Sequence, residues 1–200
     1  CGGVFMSFQW DILLLEAGFL SLFLCRWKWK SPWRDPLPLT TINRIALVWS
    51  WFLIAKLMFF SGWVKLAWDS GTHPEWWSDA TAMTYHYMTQ PLPPWTAWWA
   101  HHLPLWFHKA SLIPMYLVEV ILPFAILFGR WGRLGAALAF TGLMLAIVLT
   151  GNYGYFNWLT IMLCLPLVHD RFWPKWLRRP LTPDTPDPAI RPSRKTLALR

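Results

Sequence analysis

WDSGTHPEWWSDATAMTYHYMTQPLPPWTAWWAHHLPLWFHKA, residues Trp68–Ala110, lies between two long apolar runs and decides how the rest of the chain is read. A solvated loop would be rich in Ser, Gly and charge. This stretch is crowded instead with Trp68, Trp76, Trp77, Tyr85, Tyr87, Trp95, Trp98, Trp99, Trp106 and Phe107, and it carries His86, His101, His102 and His108. Trp and Tyr gather where a bilayer meets water, because one end of each ring is apolar and the other polar. The stretch therefore reads as a structured cap lying on a membrane. Ser78–Met83 predicts a short helix with Ser78 as N-cap. Trp95–Leu103 predicts a second, lying in the interface plane, started after Pro94 and stopped by Pro104.

Outward from the cap the chain is apolar. Val4–Leu24 would run about 31 Å as a helix, enough for the hydrocarbon core. Cys25–Asn43 is a basic, proline-broken loop with Arg26, Lys28, Lys30 and Arg34. Ile45–Leu66 is a second span, with Thr40 or Thr41 available as its N-cap. After the cap, Ser111–Phe128 is a third, bent by Pro114 and Pro123. Gly129–Arg133 reads as a tight basic turn. Leu134–Thr150 is a fourth span, and Gly151-Asn152-Tyr153-Gly154 a hairpin turn. Tyr155–Val168 is a fifth, shorter than the usual span of about 17–25 residues. Its polar start, with Asn152 and Asn157, is expected to lie below the headgroups and to be covered by the cap.

The composition agrees with that reading. Hydrophobic residues make up 56% and charged residues 14%, outside the range of soluble domains. The net charge of +8 raises nucleic acid as a partner, but the basic residues fall in short blocks between apolar runs, as topology signals do. The expected fold is all-α: a polytopic transmembrane bundle of about five spans over residues 1–170, with the cap at 68–110 and a basic, Pro-rich tail at 171–200. The three cysteines form no Cys-x-x-Cys pair and read as small apolar residues. The chain starts at Cys1, as a fragment would.

Orientation follows from charge. With five spans, the Arg26–Arg34 loop, the Arg130–Arg133 segment and the Arg171–Arg179 tail fall on one side, which the positive-inside rule makes cytoplasmic. The cap then faces the lumen or periplasm.

Charges inside the spans need partners. Glu16 and Lys56 both count to mid-depth and are expected to pair. Asp11 and Glu119 lie about 10–12 Å below the outer surface, and Lys65 is near it, so an outer cluster of Asp11, Lys65 and Glu119 is expected beneath the cap. Such a cluster is either a polar site open to the outer face or a set of ion pairs fixing helix register. The histidines do not have the spacing of a metal site: His101 and His102 are adjacent and point apart on a helix. No metal or cofactor is expected, and no P-loop, dinucleotide fingerprint or nucleophile elbow is present.

Several blocks resemble the lipase maturation factor family. They are Phe8-Gln9-Trp10-Asp11 with Leu14-Leu15-Glu16-Ala17-Gly18-Phe19, and Phe59-Phe60-Ser61-Gly62-Trp63-Val64-Lys65-Leu66. Tyr85-His86-Tyr87-Met88-Thr89-Gln90-Pro91-Leu92-Pro93 and its continuation to His108 is the densest. Leu149-Thr150-Gly151-Asn152-Tyr153 with Phe156-Asn157-Trp158-Leu159-Thr160 completes the set. The resemblance implies a polytopic membrane protein that helps secreted lipases mature. In animals the family sits in the endoplasmic reticulum with its large loop facing the lumen; a bacterial member would sit in the inner (plasma) membrane. Family members continue into a lumenal carboxy-terminal domain, absent from a chain ending at Arg200. Gly62-Trp63-Val64-Lys65-Leu66 also resembles, more distantly, the segment of vitamin-K-dependent gamma-carboxylases that holds a basic lysine.

Two functional expectations result. In one, the cap presents Trp77, Tyr85, His86, Gln90, Trp99, His102, Trp106 and His108 to a protein client, a lipase, with no nucleic acid involved. In the other, the chain is an intramembrane enzyme acting on a lipid or quinone-like substrate, with Lys65 as base and Asp11 or Glu119 setting its protonation. The first does not require catalysis.

Overall fold

A computed structural model describes residues 9–24, 41–67, 80–90 and 92–174. Every regular element among them is helical. Helices α1 (Gln9–Leu24) and α2 (Thr41–Ala67) are followed by two short ones, α3 (Ala82–Thr89) and α4 (Trp95–His101). Helix α5 (Leu105–Tyr116) runs on through a π-helical turn, Leu117–Ile121, into a 3-10 stretch, Leu122–Leu127. Helices α6 (Gly129–Thr150) and α7 (Tyr155–Cys164) complete the bundle, with a final 3-10 turn at Asp170–Phe172.

Three of these, Thr41–Ala67, Leu105–Leu127 and Gly129–Thr150, are long and apolar enough to cross a membrane. Tyr155–Leu167 is shorter, about 20 Å at 1.5 Å per residue. Helix α1 has 16 described residues; the rest of the expected first span lies outside the described residues, as do the Arg26–Arg34 loop, Trp77 and the 175–200 tail.

Helix α2 is the central post. Ala46, Ser50, Leu53, Ile54, Leu57 and Met58 are buried on one face. Leu53, Ile54, Leu57 and Met58 share a core with Ile126 beyond α5, Ala136, Phe140 and Met144 of α6, and Leu163 and Cys164 of α7. The outer faces are just as apolar: Ile45, Trp49, Phe52, Phe60 and Trp63 of α2 are exposed. A helix hydrophobic all round is a helix for lipid.

The two ends of the bundle differ. At one, Asn43 donates to the Phe23 carbonyl (2.6 Å), tying the end of α1 to the start of α2. There Arg133 stacks over Trp51, and Trp131 packs on Phe172 at 4.8 Å. Arg44, Arg130, Arg133 and Arg171 belong to the elements that meet at this end. Helices α3 and α4 sit at the other end, against α5 and the end of α6. The Thr96 hydroxyl donates to the Leu149 carbonyl.

Local expectations are corrected in three places. Residues 129–133 form no turn; they are the first turn of α6, and the reversal is made at Gly129, whose φ of +73° only glycine adopts freely. The third long helix starts at Leu105, directly after Pro104, so Trp106 and His108 belong to it. Pro104 stops α4 but also starts α5, since a proline costs nothing where no N–H partner is needed. Ser78 lies outside the described residues; the helix expected there starts at Ala82, with Thr81 at its N-cap position, and runs on to Thr89. Finally, Pro123 lacks the N–H that would bond the Glu119 carbonyl, and there the ladder re-registers from π to 3-10.

Candidate functional site

The polar groups of the chain converge beneath α3 and α4. Lys65, at the end of α2, donates to both oxygens of Glu119, at 2.6 and 2.5 Å. Glu119 is 3% exposed and sits in the π-helical turn. Gly62 makes the approach possible. A β-carbon there would stand 2.6 Å from Val120 Cγ2 and 2.9 Å from Glu119 Cβ. Residues three apart share a helix face, so the bare patch at Gly62 delivers Lys65 to the carboxylate. The spacing Gly62-x-x-Lys65 is therefore a packing device as well as a chemical one.

Asp11 stays out of this cluster. Its carboxylate accepts from the Tyr155 hydroxyl at 2.8 Å, joining α1 to the start of α7. Depth counting places residues along their axes but says nothing of the bundle's azimuth, and α1 packs on α2 and α7. At mid-depth, Lys56 reaches both Glu16 oxygens, at 2.7 and 2.8 Å.

Above Lys65 lies a second polar group. Gln90 Nε2 donates to His86 Nδ1 (2.6 Å) and to the Tyr153 hydroxyl oxygen (3.2 Å). Its side chain lies on Gly151, where any β-carbon would overlap it. Burial lowers the His86 pKa to about 4, and the Lys65 charge acts in the same direction. The imidazole is thus neutral at neutral pH, which leaves Nδ1 able to accept. Burial raises the Tyr153 pKa; the bond from Gln90 partly offsets this, and the Glu119 charge adds to the rise. Asn152, at φ +87°, closes the turn by accepting from the Gly154 N–H (2.8 Å). Asn157, one turn into α7, is fully buried.

His108 is buried with its ring 5.2 Å from Tyr87. His102 and Tyr85 are exposed, and the His102 ring lies 4.1 Å from Trp98. Trp95, Trp98, Trp99 and Trp106 are 78%, 58%, 63% and 68% exposed. Of the expected surface residues, then, His86, Gln90 and His108 turn inward, while Tyr85, Trp99, His102 and Trp106 face out. Among the described residues no three His, Cys, Asp or Glu side chains are grouped as metal ligands. Reading the residues by type did not single out Tyr153, Gly151 or Tyr87 as site residues; all three stand in the sequence blocks above but carry no charge to draw notice.

A bundle whose outward faces are apolar, with ion pairs inside it and arginines at one end, defines a polytopic integral membrane protein. Residues 1–175 match the family profile described as lipase maturation factor transmembrane domain. The chain belongs to the lipase maturation factor family. It is 42% identical over 183 residues to lipase maturation factor 2 of Gallus gallus, covering 89% of this chain and 24% of that protein. Against lipase maturation factor 2 of Homo sapiens it is 39% identical over 180 residues, 85% of this chain and 24% of the relative. Lipase maturation factor 1 of Homo sapiens is 31% identical over 178 residues, 84% and 28% respectively. The chain thus spans about a quarter of the length of these relatives. No solved structure matches it.

Proposed function

We propose that this chain is the membrane platform of a factor that matures secreted lipases, and that α4 with the first turn of α5 is the surface offered to the client. The observation that carries the reading is the row of Trp95, Trp98, Trp99 and Trp106, exposed on helices tied to the bundle. A loose loop would have to be ordered on meeting a partner, at an entropic cost; short helices clamped through Thr96 and Gln90 already hold their geometry. Large exposed aromatic surface is suited to partly folded proteins and to the headgroup layer alike. The arginine-rich end supports a non-cytoplasmic position for α4 under the positive-inside rule. In a eukaryote that face is the lumen of the endoplasmic reticulum; in a bacterium it is the periplasm.

The Lys65–Glu119 pair fits this role as a strut between α2 and the π-helical turn. A lysine that gives two hydrogen bonds to one carboxylate is poorly placed to act as a base.

The test uses the full-length protein carrying a photoreactive residue at position 99. Capture of a lipase on irradiation, and reduced secreted lipase activity in Trp99→Ala at unchanged protein level, are the expected results. Unaltered lipase activity and lipase oligomer state in cells carrying Trp99→Ala together with Trp95→Ala would overturn the proposal.

A further inference from the structure

The Glu16–Lys56 pair has a setting unlike that of Lys65–Glu119. Its side chains are 38% and 35% exposed, although both residues lie at the middle of their helices. A groove runs between α1 and α2 from this pair toward the Asn43 end. Phe19, Phe23, Ile45, Trp49 and Phe52 are among its walls, and its volume is about 440 Å³. That volume falls in the range of sites for small molecules, about 300–1,000 Å³. Ile42 and Lys56 both line it, so it extends along α2 for about 21 Å at 1.5 Å per residue. So long and slim a space excludes another helix, whose diameter is about 10–12 Å. It suits a single flexible chain.

The polar end of the groove selects the chemistry. Lys56 has three N–H groups and gives two to Glu16. Among the described residues nothing accepts the third. An acceptor without charge satisfies it; a carboxylate or phosphate would bring an unbalanced anion to mid-depth, at high cost. The partner must therefore combine a long apolar chain with a neutral carbonyl, and must itself reside at mid-depth rather than be held at the headgroups.

We propose that the α1–α2 groove binds one acyl chain of an uncharged acylglycerol, with the ester carbonyl accepting from Lys56. The site is independent of α4 and stands or falls apart from any client.

The chain is reconstituted in phosphatidylcholine vesicles containing a trace of triacylglycerol with a diazirine in one acyl chain. After irradiation the labelled peptides are located by mass spectrometry. Labelling is expected within Phe19–Phe23 and Ile45–Phe52, displaced by unlabelled triacylglycerol about tenfold more effectively than by a fatty acid or an isoprenoid quinone. Ile45→Trp fills the groove from an exposed position. It should cut labelling about tenfold while helicity and melting temperature hold. Glu16→Gln combined with Lys56→Met removes the donor without stranding a charge, and should remove the preference over phosphatidylcholine. Equal displacement by added phosphatidylcholine would mark ordinary boundary lipid and overturn the proposal. So would stronger displacement by the quinone, labelling elsewhere, or undiminished labelling of a folded Ile45→Trp.

Discussion

Gln90 lies across Gly151 with no room for a β-carbon between them. That single contact joins the segment between α3 and α4 to the turn between α6 and α7. It is reinforced by the bond from Gln90 to Tyr153 and by Thr96 on the Leu149 carbonyl. The position of the tryptophan row depends on it.

Gly151→Ala should therefore push Gln90 out of its seat. Overpacking of this kind costs about 1–3 kcal/mol, borne locally by α3 and α4. Limited proteolysis should show faster cleavage near Leu92–Trp95, with the long helices still protected. Unchanged cleavage would mean that Gly151 is not the seat.

His86 makes stability depend on pH. Its pKa is lowered from 6.5 to about 4 in the fold, so the unfolded chain binds the proton first. The stabilisation is complete above pH 6.5, falls as pH drops from 6.5 to about 4, and then levels off. Its full size is up to about 3 kcal/mol. Melting curves in detergent across that window should slope for the native chain and flatten for His86→Gln.

Lys65→Met leaves Glu119 charged and buried without its partner, which should cost about 3–5 kcal/mol. Adding Glu119→Gln should recover most of that loss. A double-mutant cycle read by thermal melting measures the coupling; additive losses would show that the two side chains do not act as a pair.

Gly62→Ala tests the approach of α2 to the π-helical turn. The added methyl meets Val120 and Glu119 at 2.6 and 2.9 Å, so α2 must retreat or the π turn must shift. A loss of about 1–3 kcal/mol is expected, with faster hydrogen exchange in 115–123. Gly135→Ala is the control, since nothing lies within 4 Å of a β-carbon there.

The order of the helices was legible because it rests on composition. Runs of apolar residues, broken by proline and bounded by arginine, read as spans, and three of the helices are long and apolar enough to cross a membrane. Boundaries were less legible. Pro104 read as a stop, yet the same residue starts α5, because a proline ends one helix and opens the next with equal ease. The π turn was invisible: the sequence marks Pro114 and Pro123 as bends but does not say how the freed carbonyls are reused. Among the ion pairs, Glu16 with Lys56 and Lys65 with Glu119 lie at the matching depths that counting gives. Asp11 has matching depth too, and its partner is Tyr155.

Along the helix axes the order of amino acids is enough: it marks the apolar segments, the end that carries the arginines, and how deep each charge sits. Those quantities depend on position along a helix axis, which 1.5 Å per residue fixes. Around the bundle, packing takes over: Glu119 faces Lys65 and not Asp11, Gln90 seats on Gly151, and α1 and α2 leave a groove between them. Azimuth around the bundle is set by which surfaces pack, and for helices apolar on every side, hydrophobicity cannot choose among them. Glycine clearances and buried hydrogen bonds do.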